Sequence, residues 1–386
     1  MASGKAPASL VAALSMLLAP SVWPAAQSST APSFDSISKQ AAEALDAKRF
    51  DQALALYKKA LKLKPAWEEG WWEAGSIAYD RDQYAECAPD FHRLAALKPD
   101  LAPAWTMAGL CEYHLRDYDA ALKSLRQTER LGFKETPELS RAARLHLALV
   151  LTRIGNYEEA LVLLTALTRI DHAQELSDPA AREKTPEIIV ACGVAGLRRP
   201  WIPPEVPESA RDMVFRLGDA MAAALELDPK GATQKFEVAV RDYPKEPNIH
   251  FRFGAFLMQQ DPDRGIQEIK KALDLEPEHI PALVSLSSIY LKRDDLPAAR
   301  EYAGKAVKLA PGDFATHVTL GRVLLKMGDS NGAARELELA VKLAPESPDA
   351  RFNLASAYAK LGRSADAARE REEFRRLRKL VDSNQP

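Results

Sequence analysis

The sequence predicts an all-α fold, a solenoid of stacked helix-turn-helix hairpins, and two observations lead to it. First, the hexapeptide Ala-Val-Lys-Leu-Ala-Pro occurs at Ala306–Pro311 and returns letter for letter 34 residues later, at Ala340–Pro345. Second, each period carries two helical apolar patterns separated by polar turn residues. A fixed period of this size is typical of a stacked array rather than of one globular core.

The composition fits a folded protein but not a general nucleic-acid binder. Of the 386 residues, 47% are hydrophobic and 27% are charged, which is usual for folded soluble chains. The 52 Lys and Arg residues are balanced by 54 Asp and Glu residues, giving a net charge of −2. Because binding to a phosphate backbone needs a basic surface, no nucleic-acid partner is expected.

The amino terminus has the features of an export signal. Lys5 supplies positive charge, Ala8–Ala19 is apolar and uncharged, and Pro24–Ala26 offers small residues for cleavage. The apolar stretch is too short to span a bilayer. We therefore predict a signal peptide at residues 1–26 and an exported protein, periplasmic or extracellular, with no stable membrane anchor after cleavage. A disordered cytoplasmic tail is the alternative interpretation.

Residues 27–175 are predicted to hold an N-terminal array of about four repeats. In each repeat a small residue on the first helix is followed by Ala and then by a large apolar residue on the second. The step from Tyr118 to Tyr157 is 39 residues instead of 34, which predicts a longer loop near Lys134–Ser140. The repeating positions include Ala41, Ala53, Tyr57 and Pro65; Gly75, Cys87, Phe91 and Pro99; Gly109, Ala121 and Leu125; and Ala148, Ala160 and Leu164.

Residues 176–212 break the repeat. Six prolines lie between Pro179 and Pro207, and a proline disfavours helix both at its own position and at the preceding residue. Only Glu187–Leu197 keeps a helical apolar pattern. We predict one irregular helix followed by a stiff Pro-rich loop that holds Trp201, and we expect the regular pairing of hairpins to be interrupted here.

Residues 213–386 are predicted to form a C-terminal array of about five repeats, including a capping helix. The step from Pro244 to Pro277 is 33 residues, a deletion that we assign to the turn at Gln260–Pro262. In the seventh repeat, the helices are expected at about Pro281–Lys292 and Pro297–Leu309. The last repeat has Arg371 where a large apolar residue is expected. A terminal helix has no following neighbour, so this charge predicts a solvated cap.

The spacing resembles that of the tetratricopeptide repeat family. Its pattern is a small residue at position eight, Ala at 20, a large apolar residue at 24, Ala at 27 and Pro at 32. Gly321, Ala333, Leu337, Ala340 and Pro345 follow that spacing here. The resemblance covers nearly all of residues 34–380. It implies a right-handed superhelix whose concave side receives segments of partner proteins.

Some members of that family grip a partner's terminal carboxylate with Lys and Asn at fixed positions of successive repeats. The matching positions here are Ser38, Ala42 and Glu73. The resemblance therefore implies that this particular grip is absent.

One face of the first helices is a candidate binding surface. Positions two, five, nine and twelve share this face. It would be polar if it were only solvated, but it is largely apolar. We predict a groove for a partner peptide or helix. The alternative is that these residues pack between neighbouring first helices or against the irregular insert. The predicted binding residues on this face are Trp72, Tyr79, Leu110, Tyr113, Leu145, Phe251, Met258, Arg322 and Phe352. Lys326 and Asn353 are added because, with Arg322 and Lys360, they form a polar cluster that could hold an acidic group; a solvated edge is the alternative for this cluster.

The sequence offers no catalytic constellation. Its seven His residues are scattered, and no HExxH, CxxC, GxSxG or Gly-rich phosphate loop is present. We predict no catalytic residue, metal site or cofactor. His317 stands where Trp71 and Trp105 stand in other repeats, which favours a core position. The predicted function is a non-catalytic scaffold for protein partners. The alternative is an accessory subunit that positions an envelope enzyme or polymer-processing complex.

Two of the three cysteines could form a disulfide. Cys87 lies on the second helix of one repeat and Cys111 on the first helix of the next, and such helices stack against each other. In an oxidising compartment they could bond if their Cα atoms come within about 7 Å. The alternative for both is ordinary packing of a small buried residue, which is also the interpretation of Cys192.

Overall fold

The described part of the chain is entirely helical, as the sequence predicts. The computed structural model describes residues 33–132, 136–177, 185–225 and 228–383. Within these ranges the chain forms 19 α-helices and two short 3-10 turns, and no strand is present. The predicted signal peptide, residues 1–26, lies outside the described residues. The structure consists of two compact units, one ending at Gly70 and the other beginning at Trp71.

The helices follow one another with short connections. The first eight are α1 (Phe34–Asp46), α2 (Phe50–Leu63), α3 (Glu68–Asp80), α4 (Tyr84–Leu97), α5 (Ala102–His114), α6 (Tyr118–Leu131), α7 (Pro137–Arg153) and α8 (Tyr157–Ser177). The next five are α9 (Thr185–Gly196), α10 (Arg211–Ala223), α11 (Pro229–Asp242), α12 (Pro247–Leu257) and α13 (Pro262–Leu275). The last six are α14 (Ile280–Lys292), α15 (Leu296–Leu309), α16 (Phe314–Met327), α17 (Ser330–Leu343), α18 (Pro348–Lys360) and α19 (Ser364–Ser383).

In the first compact unit, α1 and α2 form one hairpin. Ile37 and Ala41 on α1 are buried, as are Ala53 and Tyr57 on α2. These positions recur at three- to four-residue intervals, so each helix places one apolar stripe against the other. The ring of Tyr57 stacks on the indole of Trp67 at a centroid distance of 5.6 Å. This stacking covers the end of the hairpin.

In the second compact unit, each helix packs against the next along the chain from α4 to α19. First helices of successive hairpins also contact each other, as in the pairs α5 with α7, α14 with α16 and α16 with α18. The observed α14 and α15 begin and end within one residue of the limits predicted from sequence. Stacking of this kind gives each hairpin the apolar cover that it cannot supply alone.

The turn inside most hairpins contains one residue in the left-handed conformation. The φ angles at these positions lie between 56° and 89°. Glycine adopts this conformation without strain, whereas residues with a Cβ do so at a cost. The positions are Lys48, Asp82, Arg116, Gly155, Asp294, Gly328 and Gly362. The missing residue of the sixth repeat does not shorten the turn at Gln260–Pro262 as predicted: the connection after α12 has four residues, and α12 itself has 11 residues where α14 has 13.

Close approach of the two helices in a hairpin depends on the small residue at position eight. A Cβ atom added to Gly321 would lie 2.5 Å from Cγ of Leu337. Ser287 fills the same position in the preceding hairpin, and its hydroxyl donates a hydrogen bond to the carbonyl of Ala299 at 2.8 Å. Ser287 therefore faces Ala299 directly across the hairpin. Gly321, in contrast, meets Leu337, because this larger side chain closes the crossing.

The residue at position four of several first helices binds a backbone carbonyl at the end of the preceding hairpin. Trp105 Nε1 donates to the carbonyl of Pro99 at 2.9 Å. His317 Nε2 lies 2.9 Å from the carbonyl of Pro311, and its Nδ1 lies 2.7 Å from Glu336 Oε2. We call this arrangement the position-four clasp. It explains why His317 is buried, as predicted, rather than available as a ligand.

His250 and Arg351 make the same clasp in other hairpins of the second unit. His250 Nε2 lies 3.0 Å from the carbonyl of Pro244, and its Nδ1 lies 2.7 Å from Glu268 Oε2. Arg351 donates to the carbonyl of Pro345 and, through Nη1, to Glu370 Oε2 at 2.7 Å. An aromatic, an imidazole and a guanidinium donor thus serve the same position.

The segment between the arrays contains α9, which resembles a first helix and packs against α10. The chain after α9 turns through Arg198, whose φ is 55°. The amide of Arg199 donates to the carbonyl of Val194 at 3.2 Å, as the amide of Asp295 donates to Tyr290 after α14. Helix α9 contacts both α7 and α12. It therefore takes a place in the row of first helices.

Two 3-10 turns, Pro203–Glu205 and Glu208–Ala210, connect α9 to α10. This connection is longer than the turn inside a regular hairpin. Helix α10 packs against α9 as well as against α11. A Cβ atom on Gly193 would lie 1.9 Å from the carbonyl oxygen of Val214, and one on Gly218 would lie 1.9 Å from that of Ile189. Glycine at both positions permits backbone contact between α9 and α10.

Two further sequence expectations concern the start of α7 and the exposed face of α19. The extra residues of the fourth repeat lengthen α7, which begins at Pro137, so that Ser140 is helical rather than part of a loop. Residues 133–135 of that predicted loop lie outside the described residues. The last helix, α19, has Leu377 buried and Arg371 exposed. This arrangement matches the solvated cap that was predicted.

Candidate functional site

The predicted binding residues lie on α3, α5, α7, α12, α16 and α18, with Met258 directly after α12. We define the inner face by positions two, five, nine and twelve of the first helices. Contacts between α5 and α7, between α7 and α9, and between α9 and α12 make these helices a row. Helices α14, α16 and α18 continue the same type of contact. Side chains at these positions therefore lie close to a neighbouring first helix.

Four of the predicted binding residues are buried. Leu110, Tyr113, Leu145 and Phe251 each expose less than a tenth of their surface. The first three belong to or adjoin the packing around α5 to α9, and Phe251 packs with Ile269 and Leu286. The packing alternative therefore describes these four residues, and a partner could reach them only if the helices moved. Their burial comes from packing within and between hairpins.

Tyr113 sits at the centre of an aromatic group in the N-terminal half of the unit. Its ring lies edge-on to the imidazole of His146 at 4.8 Å and edge-on to Tyr118 at 5.9 Å. Burial raises the pKa of Tyr113 above its ordinary value. Burial also lowers the pKa of His146 to about 4, so this imidazole is neutral at pH 7. These groups are suited to packing rather than to proton transfer.

Three other predicted residues are partly exposed. Trp72 lies edge-on to Phe91 at 5.5 Å, and Tyr79 lies edge-on to Tyr84 at 5.7 Å. Met258 packs against the cluster that contains Ile269, yet part of its side chain remains accessible. An aromatic or thioether group that is held on one side and open on the other is a suitable contact for a partner side chain.

The remaining predicted residues lie on α16 and α18. Phe352 has 52% of its surface exposed, and its ring lies 5.4 Å from that of Phe374. Lys326 Nζ lies 3.3 Å from Asp294 Oδ1, and Asn353 Nδ2 donates to the carbonyl of Asp349 at 2.7 Å. Arg322 is half-buried on the same face. The polar side chains serve local partners, so Phe352 is the main apolar contact offered here.

Cys87 and Cys111 are neighbours, as their helices predict. Their Cα atoms lie 6.1 Å apart, and both side chains are fully buried between α4 and α5. This separation lies within the range that a disulfide spans. Cys192 is a buried free cysteine on α9. Burial raises the pKa of its thiol to about 12, so the group is unreactive at neutral pH.

A charged cluster beside the inner face was not anticipated from the sequence. Glu158, near the start of α8, receives hydrogen bonds from Arg198 Nη1 at 2.8 Å and from Arg252 Nη2 at 3.1 Å. Arg252 Nε also donates to the carbonyl of Gly196 at 3.5 Å. Contacts across 94 residues of sequence have no local signature. Arg252 alone offers a hint, because it lies between Phe251 and Phe253.

Arg198 and Arg252 change the pKa of both Glu158 and His279. Desolvation raises the pKa of Glu158, but the charge and hydrogen bonds of Arg252, with the charge of Arg198, bring it below its ordinary value. Burial lowers the pKa of His279 to about 4, and the charges of Arg198 and Arg252 add to the effect. His279 is therefore neutral at pH 7. Its Nδ1 accepts from the amide of Ala282 and caps α14.

Among the residues that the structure describes, no group of three or more His, Cys, Asp or Glu side chains is arranged to hold a metal ion. In the same ranges, no helix combines the length and apolar character needed to cross a bilayer.

Comparison with known proteins gives one family and several distant structures. A model of the tetratricopeptide repeat matches residues 73–132, 106–173, 255–314 and 318–373, more than half of the chain in total. No curated protein matches the chain. The solved MamA RS-1 ArsTM double mutant is 20% identical, with a TM-score of 0.39 over 44% of this chain and 97% of that one. Yeast Tom70 is 14% identical, with a TM-score of 0.34 over 91% of this chain and 93% of that one. At these values, neither structure supports a statement about function.

Proposed function

Because the chain belongs to the tetratricopeptide repeat family, we propose that it is a non-catalytic scaffold that binds peptide or helical segments of partner proteins at its inner face. The observation that carries the proposal is the set of large side chains that the inner face leaves partly open. They are Trp72, Tyr79, Met258 and Phe352, and the polar residues Arg322, Lys326 and Asn353 lie on α16 and α18. No catalytic step is assigned to any residue.

The chemistry of this surface suits an apolar segment with a few polar groups. Trp72 and Tyr79 present aromatic rings that are already fixed by Phe91 and Tyr84. Contacts made by fixed rings lose little conformational entropy on binding. Phe352 has the larger exposed area and lies beside polar side chains of α16 and α18. An amphipathic helix is one partner that would match such a surface.

The experiment compares inner-face variants with an outer control. Trp72→Ala and Phe352→Ser should each reduce retention of a crosslinked or co-purified partner by about tenfold or more, the loss typical of a central apolar contact. Val162 on the second helix α8 is 68% exposed, and Val162→Ser should leave retention unchanged. Circular dichroism should show the same helicity for all three variants.

Two outcomes would contradict the proposal. One is equal retention of the partner by the inner-face variants and by Val162→Ser. The other is turnover of a substrate by the purified chain without any partner. Tyr113→Ala is unsuitable as a binding variant, because Tyr113 lies in the core and its loss is expected to destabilise the fold by about 3 to 5 kcal/mol.

Export is a separate part of the proposal. It rests on Lys5, on the apolar stretch Ala8–Ala19 and on the small residues before Gln27. A disulfide between Cys87 and Cys111 would agree with an oxidising compartment. Mass spectrometry of the mature chain should find an amino terminus close to residue 27. An intact Met1 terminus in a cytoplasmic fraction would contradict export.

A further inference from the structure

The charged cluster at Glu158 joins three parts of the chain that are distant in sequence. Glu158 comes from the first turn of α8, Arg198 from the turn after α9, and Arg252 from α12. Both guanidinium groups bind the same carboxylate, Arg198 through Nη1 at 2.8 Å and Arg252 through Nη2 at 3.1 Å and Nη1 at 3.4 Å. Two cations therefore converge on one carboxylate.

The two arginines are held in place independently of Glu158. Arg252 exposes 12% of its side chain, donates to the carbonyl of Gly196 and lies over the ring of Phe251 at 5.1 Å. The guanidinium of Arg198 lies over the ring of Tyr157 at 4.9 Å. Aromatic and carbonyl contacts of this kind orient a guanidinium group before any anion binds.

Glu158 differs from the arginines because it is open to solvent. Its side chain is 58% exposed, and its backbone belongs to the first turn of a helix. Two hydrogen-bonded arginines, not packing, hold its carboxylate. Rotation of Glu158 into solvent would uncover both guanidinium groups without moving a helix. A solvated glutamate that occupies a preformed arginine pair can be exchanged for another carboxylate.

The charges around the pair leave room for such an exchange. Arg199 is paired with Glu246 at 3.1 Å. His279 is neutral at pH 7 because its pKa is about 4. Asp313 acts on Arg198 through space, but its carboxylate accepts the amide of Ala315 at 2.9 Å. Glu158 is thus the only carboxylate for which the described residues show a hydrogen bond to Arg198 or Arg252.

We propose that Arg198 and Arg252 form a carboxylate-binding site for an acidic segment of a partner polypeptide, and that Glu158 occupies this site until the partner displaces it. The inference rests on the proposed function, because it adds a charged subsite to a protein-binding face. Phe251 and Arg252 are adjacent on α12, so the subsite adjoins the inner face. Arginine suits this role since its planar group binds a carboxylate through two donors.

The test uses the full chain and two short peptides. The probes are acetyl-tetraglutamate amide, which carries only side-chain carboxylates, and acetyl-tetraglutamine with a free carboxyl terminus. Glu158→Gln should raise affinity for at least one probe by about tenfold, as expected when a competing charged hydrogen-bond acceptor is removed. The probe that gains affinity identifies the source of the carboxylate. Added salt should weaken the binding.

Matched variants separate the site from a change in net charge. Glu237 pairs with a single arginine, Arg264, at 2.7 Å. Glu237→Gln removes the same charge as Glu158→Gln and should leave affinity for both probes unchanged. In the Glu158→Gln background, Arg252→Gln and Arg198→Gln should each return affinity to the wild-type value or below. If one double variant loses helicity, the other still provides the measurement.

The outcomes distinguish this inference from the broader function. Equal probe affinity in Glu158→Gln and Glu237→Gln, or binding that persists in both double variants, overturns the arginine site. If the arginine site is overturned but Trp72→Ala still loses partner retention, the proposed function stands without the arginine site. Conversely, probe binding at the arginines with no effect of Trp72→Ala and Phe352→Ser on partner retention supports the site and contradicts the inner-face proposal.

Discussion

Nδ1 of His250 lies 2.7 Å from Oε2 of Glu268 while Nε2 of the same ring lies 3.0 Å from the carbonyl of Pro244. A carbonyl only accepts hydrogen bonds, and an ionised carboxylate also only accepts them. Both ring nitrogens must therefore carry a proton when Glu268 is ionised. The buried clasp is an imidazolium bound to a carboxylate, and this composition makes its strength depend on pH.

The first prediction concerns the pH dependence of stability. Burial lowers the pKa of His250, but hydrogen bonds to Glu268 and Pro244 raise it overall above its ordinary value of 6.5. The stabilisation by the charged ring is then complete below pH 6.5 and is lost as pH rises through the folded-state pKa. Glu268→Gln should cost about 1 to 3 kcal/mol near pH 6 and less near pH 9.

Chemical denaturation across that pH range provides the measurement. Glu370→Gln is the matched control, because Arg351 makes the corresponding contacts in the last hairpin and does not titrate. Its cost should stay constant with pH. Equal pH dependence of the two variants would contradict the assignment of a charged His250. At low pH the sign reverses: the pKa of Glu268 is below its ordinary value, so its contribution falls as pH drops through the folded-state pKa.

The second prediction concerns the crossing of α16 and α17. Gly321→Ala would place a Cβ atom 2.5 Å from Cγ of Leu337, which is fully buried and cannot move away easily. The free energy of unfolding should fall by about 1 to 3 kcal/mol. A Cβ atom added to Gly304 on α15 would meet no atom within 4 Å. Gly304→Ala should therefore raise the free energy of unfolding by about 0.5 to 1 kcal/mol. Two destabilised variants would contradict this prediction.

The third prediction concerns the left-handed turn residue Gly328. Its φ is 89°, and a Cβ atom added there meets nothing within 4 Å. Backbone strain is thus the only penalty, and Gly328→Ala should lower the free energy of unfolding by about 1 kcal/mol. Gly312 is equally open but lacks a positive φ, so Gly312→Ala should change stability little. Thermal unfolding of the two variants compares them directly, and an equal effect of both would exclude strain as the cause.

The fourth prediction concerns Cys87 and Cys111. If they are bonded, reduction opens a link between residues 24 apart in sequence and should lower stability by roughly 3 kcal/mol. Thermal unfolding with and without dithiothreitol, together with mass spectrometry of the unreduced chain, provides the measurement. The Cys192→Ala variant should keep the same response to reductant. An unchanged melting temperature and two alkylatable thiols would show that the pair is only packed.

The sequence predicted the fold well because the determinants of each hairpin are local. Apolar spacing, the small residue at position eight and the proline after the second helix all lie within one period, and α14 and α15 were placed to within one residue. The same reasoning failed where spacing changed. The extra residues of the fourth repeat extend α7, which begins at Pro137 after the Thr136 cap and includes Ser140.

The candidate site was less accessible to sequence reasoning. Apolar character on the first helices could not separate Tyr113, which is buried, from Phe352, which is exposed, because burial depends on how closely neighbouring first helices approach. The arginine pair was missed for another reason. Arg198 belongs to the segment without a repeat. No periodicity therefore predicts that it binds the same carboxylate, Glu158, as Arg252.

The position-four clasp has a consequence for how such arrays can change over time. Its acceptor on the preceding hairpin is always a main-chain oxygen, at Pro99, Pro244, Pro311 or Pro345. A hairpin that is duplicated or exchanged therefore brings its own donor and demands no particular side chain from its new neighbour. Recombination between copies can then lengthen or shorten the chain without first evolving a matching interface.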